Sequence, residues 1–327
     1  MVDLSIIIVN WHSREYLRGC IKSIVANTRK VSYEIIVVDS ASFDGCGEML
    51  RDQFPAVHFI QSDENFGFAA ANNCGVAAAR GEYLLFLNPD TELVGDALDT
   101  LWTQSRCLPA AGIVGARLLN ADGSVQTSCI QAFPNVLNQL LDSEYLRTRW
   151  PTSPLWGTAA LYAEGRDPQE VEGVSGACML VQRATFEQVG RFSEDYFMYA
   201  EDMDLSHKIR SAGRRNYYVP TATVVHYGGS SSDRAVSAFA AVMMPEAIWR
   251  FITKTRGRLH GSAYRVAMLT SAIGRLCFLT VLRLGSVRRD SWEGPSRKWM
   301  AVLRWSLRLA AIVPQYYPRN RHPSIVR

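Results

Sequence analysis

The residues best suited to chemistry in this sequence are acids that directly follow apolar segments. Asp39 ends one such segment, and Asp90 follows another within the turn sequence Asn88-Pro89-Asp90. A carboxylate just past a buried strand can ligate a hard divalent cation such as Mg²⁺ or Mn²⁺, and these ions commonly bridge to phosphates. Asp39 can instead accept hydrogen bonds from a nucleobase or a ribose. Both acids also have a structural interpretation, because acids at such positions cap helices and close turns.

A second group of acids is denser. Glu201, Asp202 and Asp204 directly follow the aromatic segment 196–199. The helix dipole favours acids at a helix start, which accounts for the group without any catalysis. Apolar neighbours, however, raise the pKa of a carboxylate towards that of a useful general base. The group is therefore a candidate general-base site.

Three further side chains could contribute to a site that binds a phosphate or a nucleobase. His226 ends an apolar segment beside two glycines; it can offer an imidazole nitrogen to the same cation as Asp90, although a lone histidine is more often structural. Trp11 can stack on a base or simply fill the core, and Arg80 can pair with a diphosphate. No G-x-G-x-x-G, P-loop or Ser-His-Asp signature supports dinucleotide redox chemistry or P-loop hydrolysis.

Alternating apolar patterns must position these side chains. Strand patterns cover residues 4–9, 34–38, 58–61, 83–87, 112–119, 176–181, 217–219 and 223–226, and helical patterns cover 17–26, 68–80, 184–189 and 202–212. This rhythm predicts an α/β fold with a doubly wound, mostly parallel sheet and flanking helices. Ligands of such sheets bind at the carboxyl ends of the strands, where Asp39 and Asp90 lie. Residues 133–169 are irregular and rich in Trp and Pro, which indicates a loop or lid.

The C-terminal part of the 327-residue chain differs from the rest in charge. Sixteen Lys or Arg and two acids give residues 250–327 a net charge of +14, which leaves −10 for residues 1–249 out of +4 in total. We expect a boundary in the Gly- and Ser-rich segment 228–232, between a domain over residues 1–232 and a basic helical region over 233–327. The mixture of Trp, Leu and Phe with Arg favours anionic lipid headgroups over nucleic acid as its partner.

The apolar segment 264–287 is the strongest membrane candidate. It is interrupted by Arg265, Arg275 and Arg283 and followed by Arg288. Arginines are costly at the middle of a bilayer, so an interfacial helix fits better than a spanning one. Trp292, Trp299 and Trp305 extend the same character. The alternatives are a helical bundle packed on the catalytic domain, or a dimer interface.

The cysteines and the N-terminus indicate a cytoplasmic location. The seven cysteines are odd in number and contain no C-x-x-C pair, which favours a reducing compartment over a disulfide framework or structural zinc. The N-terminus lacks the basic segment of a secretory signal. The basic tail adds an expected contact with an anionic membrane surface.

Seven stretches resemble family 2 glycosyltransferases. They cover residues 4–17, 34–42, 64–73, 79–91, 174–180, 197–205 and 225–229. Each is weak alone, but seven in the family's order are specific. They are most similar to the rhamnosyltransferase-like group that extends bacterial surface glycans.

The resemblance implies a GT-A fold and an inverting transfer from a nucleoside-diphosphate sugar. By position, Asp39 would contact the nucleoside, Asp90 and His226 would hold a divalent cation, and Asp202 would be the catalytic base. Donor-side contacts are implied for Val9, Trp11, Asn72, Arg80 and Asn88, and acceptor-side contacts for Glu201 and Gly176.

Three positions depart from the family pattern. Asn88 stands at the first acid of the D-x-D-type motif, so the metal would rest on one carboxylate plus phosphates. Ser40 stands where an Asn commonly follows the nucleoside-binding Asp, and Trp11-His12 replaces a frequent Tyr-Asn pair. These departures bear on the contacts to base and ribose.

The expected function is metal-dependent sugar transfer in bacterial cell-surface polysaccharide synthesis. The first guess for the donor is dTDP-rhamnose, and the acceptor would be a glycan or a lipid-diphosphate-linked glycan. The basic tail and the resemblance together imply a cytoplasmic protein that is peripheral on the inner face of the plasma membrane. An alternative from another class is a catalytically silent scaffold that binds a nucleotide sugar at the membrane. The presence of Asp39, Asp90, Asp202 and His226 argues against that alternative.

Overall fold

A computed structural model describes residues 2–228, 238–285 and 293–309. The strands are β1 Leu4–Asn10, β2 Tyr33–Ser40, β3 His58–Ser62, β4 Tyr83–Leu87, β5 Thr91–Val94, β6 Ala111–Leu119, β7 Ile130–Gln131, β8 Gln169–Val171, β9 Gly173–Val174, β10 Cys178–Gln182 and β11 Arg215–His226. The helices are α1 Arg14–Asn27, α2 Cys46–Gln53, α3 Gly67–Ala78, α4 Ala97–Cys107, α5 Val136–Leu140, α6 Glu144–Arg149, α7 Arg183–Gln188, α8 Glu201–Ser211, α9 Ala238–Arg256, α10 Arg258–Gly285 and α11 Glu293–Ser306.

The main sheet has a parallel half and a mixed half. Its order is β3-β2-β1-β4-β10-β6-β11-β5, with β8 also paired to β11. β1 to β4 run parallel and are joined through helices, and the Ile and Val runs of β1 and β2 are buried as expected of such strands. β10 is antiparallel to both of its neighbours, and β5 is antiparallel to β11. The expected α/β fold is confirmed, with a mixed rather than uniformly parallel second half.

The sequence pattern predicts two separate strands, over residues 217–219 and 223–226. Residues 217–219 and 223–226 belong to one strand, β11, whose pairing with β6 shifts register between Val219 and Thr223. Pro220 lies at this shift, where a residue without an N–H does least harm to the ladder. β5 was missed because four residues after a turn show too little periodicity. It matters for function, since its pairing brings His226 level with Thr91, next to Asp90.

The C-terminal bundle, made of α9, α10 and α11, packs on the α/β part of the chain. Its core is continuous with the loop before α8 and the first turn of that helix. The buried side chains of this second core are Tyr196, Ala200, Met203, Ala241, Val242, Ala247, Ile248, Phe251, Ile252, Tyr264, Ala301 and Trp305. The alternative of a packed helical bundle therefore holds for the inner faces of these helices. The expected boundary at 228–232, Arg288 and Trp292 fall outside the described residues, apart from Gly228.

α10 has a second, solvent-facing side that is apolar. Leu259, Val266, Ile273, Phe278 and Val281 are all exposed on it. Of the helices that the structure describes, one is long and apolar enough to cross a membrane by length and composition alone. It is α10, over Arg258–Leu282, with a mean hydropathy of 1.5.

Candidate active site

Asp39 is held by a dense set of hydrogen-bond donors at the carboxyl end of β2. Asn10 Nδ2 donates to Oδ1 at 2.7 Å, Gln61 Nε2 donates to Oδ2 at 2.7 Å, and the backbone N–H groups of Ser42 and Phe43 donate to Oδ2 at 3.0 and 3.2 Å. The Ser42 hydroxyl adds a further bond. Burial by itself raises the pKa of Asp39, but these bonds outweigh it and hold the pKa below its ordinary value. Asp39 is therefore a fixed anion.

The loop after β2 is strained where it wraps around this carboxylate. Ala41 and Phe43 both have positive φ, at 54° and 48°, and so does His12 after β1, at 53°. Such conformations cost about 1–3 kcal/mol each and persist only where the surroundings enforce them. Trp11, at the same edge of the sheet, is 37% exposed and lies against His12. Its exposure is compatible with stacking on a ligand and does not support the alternative of a core tryptophan.

Asp39, Asp44 and Cys46 lie close enough together to suggest a metal site. Burial raises the pKa of the Cys46 thiol well above its ordinary value, and the charges of Asp39 and Asp44 raise it further. A protonated thiol is a poor metal ligand. The Asp39 oxygens are also occupied by the donors described above. The group is better explained as a hydrogen-bonded network than as a cation site.

A second polar group lies at the turn between β4 and β5. His226 Nε2 lies 3.4 Å from Asp90 Oδ1 and 3.3 Å from Asn88 Nδ2. The backbone supports this approach, because the Tyr227 N–H donates to the Asp90 carbonyl at 2.9 Å. The structure thus brings together Asn88, Asp90 and His226, which are up to 138 residues apart in sequence.

Gln126 fixes the imidazole of His226 and was not predicted from the sequence. Its Nε2 donates to the His226 carbonyl at 2.6 Å, so its Oε1 is the atom that faces His226 Nδ1, at 2.9 Å. An amide oxygen accepts, so Nδ1 carries a proton, and in the neutral imidazole the lone pair is then on Nε2, the nitrogen that faces Asp90. Histidine ligands of metals are commonly oriented by such a second hydrogen bond.

The donor atoms suit a hard divalent cation. Asp90 offers a carboxylate oxygen and His226 an imidazole nitrogen, and Asn88 offers an amide oxygen if its side-chain amide turns over. Two or three protein ligands leave positions for the oxygens of a diphosphate and for water, as Mg²⁺ and Mn²⁺ commonly require. These ligand atoms therefore fit the Mg²⁺ or Mn²⁺ ion that the sequence predicts.

Asp202 lies in the first turn of α8, after a strained entry. Tyr199 and Ala200 have φ of 72° and 61°, and this bend starts the helix at Glu201. Asp202 Oδ2 accepts the Gly176 N–H at 3.0 Å, and Oδ1 accepts the Met203 N–H at 2.8 Å. Burial raises the pKa of the Asp202 carboxyl above its ordinary value, and these two bonds only partly offset the effect.

Glu201 is more deeply buried than Asp202. Glu201 is 6% exposed, and its Oε2 has no hydrogen-bond partner. Burial, with the neighbouring charge of Asp202 as the next cause, raises the pKa of Glu201 to about 8. Glu201 is therefore neutral at neutral pH, next to the carboxylate that is the candidate base.

The third acid, Asp204, anchors α8 instead of facing a ligand. Lys254 Nζ of α9 lies 3.1 Å from Asp204 Oδ1, and the Ser193 hydroxyl donates to Oδ2 at 2.5 Å. The Tyr196 hydroxyl donates to Oδ1 at 3.3 Å, and Lys208 lies 3.6 Å from Oδ2. The acid group at 201–204 thus divides into two residues at the site and one that ties the helix to α9.

One short segment connects the metal candidates to Asp202. Gln126 contacts His226, and three residues later the Cys129 carbonyl accepts the Ser175 N–H at 3.0 Å. The next residue, Gly176, donates its N–H to Asp202. Residues 126–129 therefore link the two groups. The loop before α8 also contacts the start of α3. The Phe197 carbonyl oxygen is so close to Gly67 that a Cβ added to Gly67 would lie 2.1 Å from it.

Two further residues predicted to contact the donor, Val9 and Asn72, lie in β1 and α3. Val9 is half-buried in β1 beside Val38. Asn72 is buried in α3, where its Nδ2 donates to the Phe68 carbonyl at 2.9 Å. Phe68 also lies near Gly176.

Arg80 is not brought to the site. Its Nε donates to Glu34 Oε2 at 2.8 Å, and its N–H donates to Ser5 Oγ at 3.1 Å, both near the amino ends of β1 and β2. Asp39 lies at the opposite end of β2. The structure therefore corrects the expected contact of Arg80 with the donor diphosphate, and the reason is the direction of the parallel strands.

A mixed, helix-flanked sheet with polar side chains gathered at its carboxyl edge is the architecture of GT-A glycosyltransferases. The chain has this fold in common with a mannosyltransferase from Pyrobaculum calidifontis solved in complex with GDP-Man and Mn²⁺. The two match with a TM-score of 0.55 and 16% identity over 94% of this chain and 86% of the other.

The chain belongs to glycosyl transferase family 2, whose model matches residues 5–190. It is 32% identical over 245 residues to the N-acetylglucosaminyl-diphospho-decaprenol L-rhamnosyltransferase of Mycobacterium tuberculosis, covering 71% of this chain and 78% of the relative. It is 28% identical over 232 residues to the rhamnosyltransferase WbbL of Escherichia coli, covering 68% and 82%. The protein is a glycosyltransferase, and the resemblance read from its motifs is confirmed.

Proposed function

We propose that the protein transfers rhamnose, with inversion, from dTDP-rhamnose to a lipid-diphosphate-linked glycan in cell-envelope polysaccharide synthesis. The observation that carries this proposal is the short connection, through residues 126–129, between the Asn88–Asp90–His226 group and Asp202. It supports a cation-assisted leaving group and a general base at one sheet edge. The names of the two relatives support the sugar, and the first of them supports an acceptor of the sugar-diphosphate-lipid class.

The proposed reaction is one displacement. The acceptor hydroxyl oxygen forms a bond to the anomeric carbon while the bond from that carbon to the diphosphate oxygen breaks. The hydroxyl proton passes to the Asp202 carboxylate, whose raised pKa makes it a better base than an ordinary aspartate. A bound divalent cation, held by Asp90 and His226, would offset the charge that develops on the leaving diphosphate.

Donor binding is tested by thermal stabilisation. A panel of nucleotide sugars is added with Mn²⁺, with Mg²⁺ or with EDTA, and Tm is measured. We expect dTDP-rhamnose to raise Tm when either cation is present, since a ligand that binds only the folded state stabilises it. Equal stabilisation in EDTA would contradict the role of the cation, and no stabilisation by any nucleotide sugar would contradict donor binding.

Turnover separates the enzyme from the scaffold alternative. The chain is incubated with dTDP-rhamnose and a cation, and release of the nucleoside diphosphate is followed with and without acceptor. We expect slow hydrolysis alone and faster release with an acceptor. A chain that is stabilised by the donor and never releases the diphosphate would be a nucleotide-sugar-binding scaffold.

The C-terminal bundle is proposed to rest on an anionic membrane surface. Arg265 is used inside the bundle, since it pairs with Glu246 at 3.7 Å and stacks on Trp249 and Trp305. Arg275 stacks on Trp299 of α11 at 4.5 Å. With one side packed on α9 and α11 and the other side apolar and exposed, α10 suits the interface better than the bilayer interior. This would place the protein at the cytoplasmic face.

Vesicle flotation tests the membrane surface. The variant is Val266→Glu combined with Ile273→Glu on the exposed side of α10, and the control is Val25→Glu, an exposed valine of α1. We expect the wild type and the control to float with phosphatidylglycerol vesicles and the variant to stay behind. Flotation of the variant equal to that of the control would contradict the proposal. Substitution is preferred to deletion because α9 packs on the loop before α8.

A further inference from the structure

A cleft of about 400 Å³ lies beside the candidate active site and contains none of the residues assigned to it. It is lined by Thr127, Asp142, Arg147, Thr148, Thr158 and Tyr162. Its volume is within the range of small-molecule sites. Most of its wall comes from residues 133–169, the irregular segment that the sequence predicts to be a loop or lid.

Hydrogen bonds hold this segment in place. Trp156 is 5% exposed, and its Nε1 donates to the Trp150 carbonyl at 3.0 Å. The Ala132 N–H donates to the Trp156 carbonyl at 2.9 Å. Position 157 accepts only glycine, because its φ is 69° and a Cβ would lie 2.2 Å from the Ala132 nitrogen. The cleft therefore has a defined shape.

The cleft is connected to the candidate active site through Thr127. Thr127 follows Gln126, which holds His226, and it begins the segment that continues to Cys129 and Ser175 beside Gly176. A ligand in the cleft would therefore lie at the segment that separates the cation group from Asp202. An acceptor must reach the space between the cation group and the candidate base, so a site beside this segment suits it.

The chemistry of the lining suits a neutral saccharide. Three threonine hydroxyls and a tyrosine hydroxyl line the cleft. The Thr148 and Thr158 hydroxyls donate to the carbonyls of Tyr145 and Pro151, so they can accept from sugar hydroxyls. Tyr162 is 49% exposed, so its ring is open to an apolar sugar face. The one cation and the one acid, Arg147 and Asp142, form a pair at 2.7 Å with side chains 32% and 41% exposed. Such exposed pairs contribute little and can be redirected to a ligand at small cost.

The balance of charge favours a neutral ligand over a diphosphate in the cleft. A diphosphate needs an excess of positively charged donors, and the charge of Arg147, the one cation of this lining, is balanced by that of Asp142. We propose that the cleft binds the saccharide of the acceptor, with Asp142 and Arg147 bonding to its hydroxyls and Tyr162 against its ring. This inference rests on the proposed function and assigns the sugar part of the sugar-diphosphate lipid.

The test compares two arginines of one helix. Arg147→Gln removes a cleft residue of α6, and Arg149→Gln is the matched control, since Arg149 stacks on Trp150 at 5.6 Å and does not line the cleft. Asp142→Asn is a second variant with little change of shape. The probes are short-chain prenyl diphosphates carrying N-acetylglucosamine, glucose or galactose, together with the same prenyl diphosphate without a sugar.

We expect both cleft variants to raise the acceptor KM of the preferred probe about tenfold, as the loss of one charged hydrogen bond would. Donor hydrolysis without acceptor, donor KM and Tm should stay near wild type, and Arg149→Gln should behave as wild type throughout. Inhibition by the sugar-free prenyl diphosphate should not change in any variant.

Three results would overturn the inference. One is an unchanged acceptor KM in Arg147→Gln and Asp142→Asn, and another is weaker inhibition by the sugar-free probe in these variants, which would place the diphosphate in the cleft. Wild-type protein that hydrolyses the donor yet uses none of the sugar-bearing probes would also overturn it. Absence of donor hydrolysis in the wild type would instead count against the proposed function itself.

Discussion

Asp39 and Asp202 are two aspartates at one edge of one fold, and their surroundings act on them in opposite directions. Asp39 accepts bonds from Asn10, Gln61 and the turn after β2, which keep its pKa low. Asp202 accepts two backbone N–H groups and is otherwise desolvated, which raises its pKa. The first environment makes a permanent hydrogen-bond acceptor, and the second makes a group that can take up a proton.

The two sides also differ in what supports them. All the partners of Asp39 described here come from residues 10–61, so the local β-α-β unit is sufficient. The helix that bears Asp202 is tied through Asp204 to Lys254 of the C-terminal bundle. The C-terminal bundle therefore supports the helix that carries the proposed base.

The largest expected effect separates the two aspartates by function. Asp202→Asn keeps the shape and removes the basicity, so we expect transfer to fall by about 10²–10⁴-fold with donor stabilisation kept. Asp39→Asn should weaken donor binding about tenfold or more, because it weakens the charge-assisted bonds that hold Asn10, Gln61 and the turn after β2 in place. Steady-state transfer and donor-induced Tm shifts are measured on both. Transfer by Asp202→Asn within tenfold of wild type would exclude Asp202 as the base.

The next effect concerns Gln126, which fixes the tautomer of His226. Gln126→Leu removes the acceptor at Nδ1, and losses of such partners typically cost 10–100-fold in metal affinity or activity. Gln126→Glu keeps an acceptor and serves as the matched control. Transfer is titrated with Mn²⁺ in both variants. An unchanged Mn²⁺ midpoint in Gln126→Leu would separate His226 from cation binding.

These cases show what the sequence could and could not predict. Asp39 and Asp90 were placed at the carboxyl edge because strand ends can be read from apolar runs, and Asp202 was placed at the start of a helix. Gln126 and Lys254 carry no comparable signal, since their partners lie 100 and 50 residues away and depend on tertiary packing. Arg80 was misplaced although the topology contained the answer. A residue between α3 and β4 precedes a parallel strand and must lie at the amino edge.

A smaller effect follows from the pH dependence of Glu201. An unpaired glutamate has a pKa near 4.5, and burial raises the pKa of Glu201 to about 8 in the folded protein. Between these values the unfolded state is ionised and the folded state is not, so stability is lost as pH rises from about 4.5 to about 8. Glu201→Gln removes this dependence. We expect its Tm, relative to wild type, to increase between pH 5 and pH 8; a constant difference would contradict the assigned shift.

The smallest effect tests the link between the bundle and the Asp202 side. Lys254→Met leaves the buried Asp204 with Lys208 alone as a cationic partner among the ion pairs of the described residues. Breaking a fully buried pair costs several kcal/mol, but the Lys254 side chain is 39% exposed, so solvent screening reduces the expected loss to about 1–2 kcal/mol. Lys254→Arg keeps the charge and should restore Tm. Because α8 carries Asp202 but not Asp39, Lys254→Met should lower kcat and leave donor KM near wild type. An equal rise of donor KM would mean that the bundle supports both sides alike.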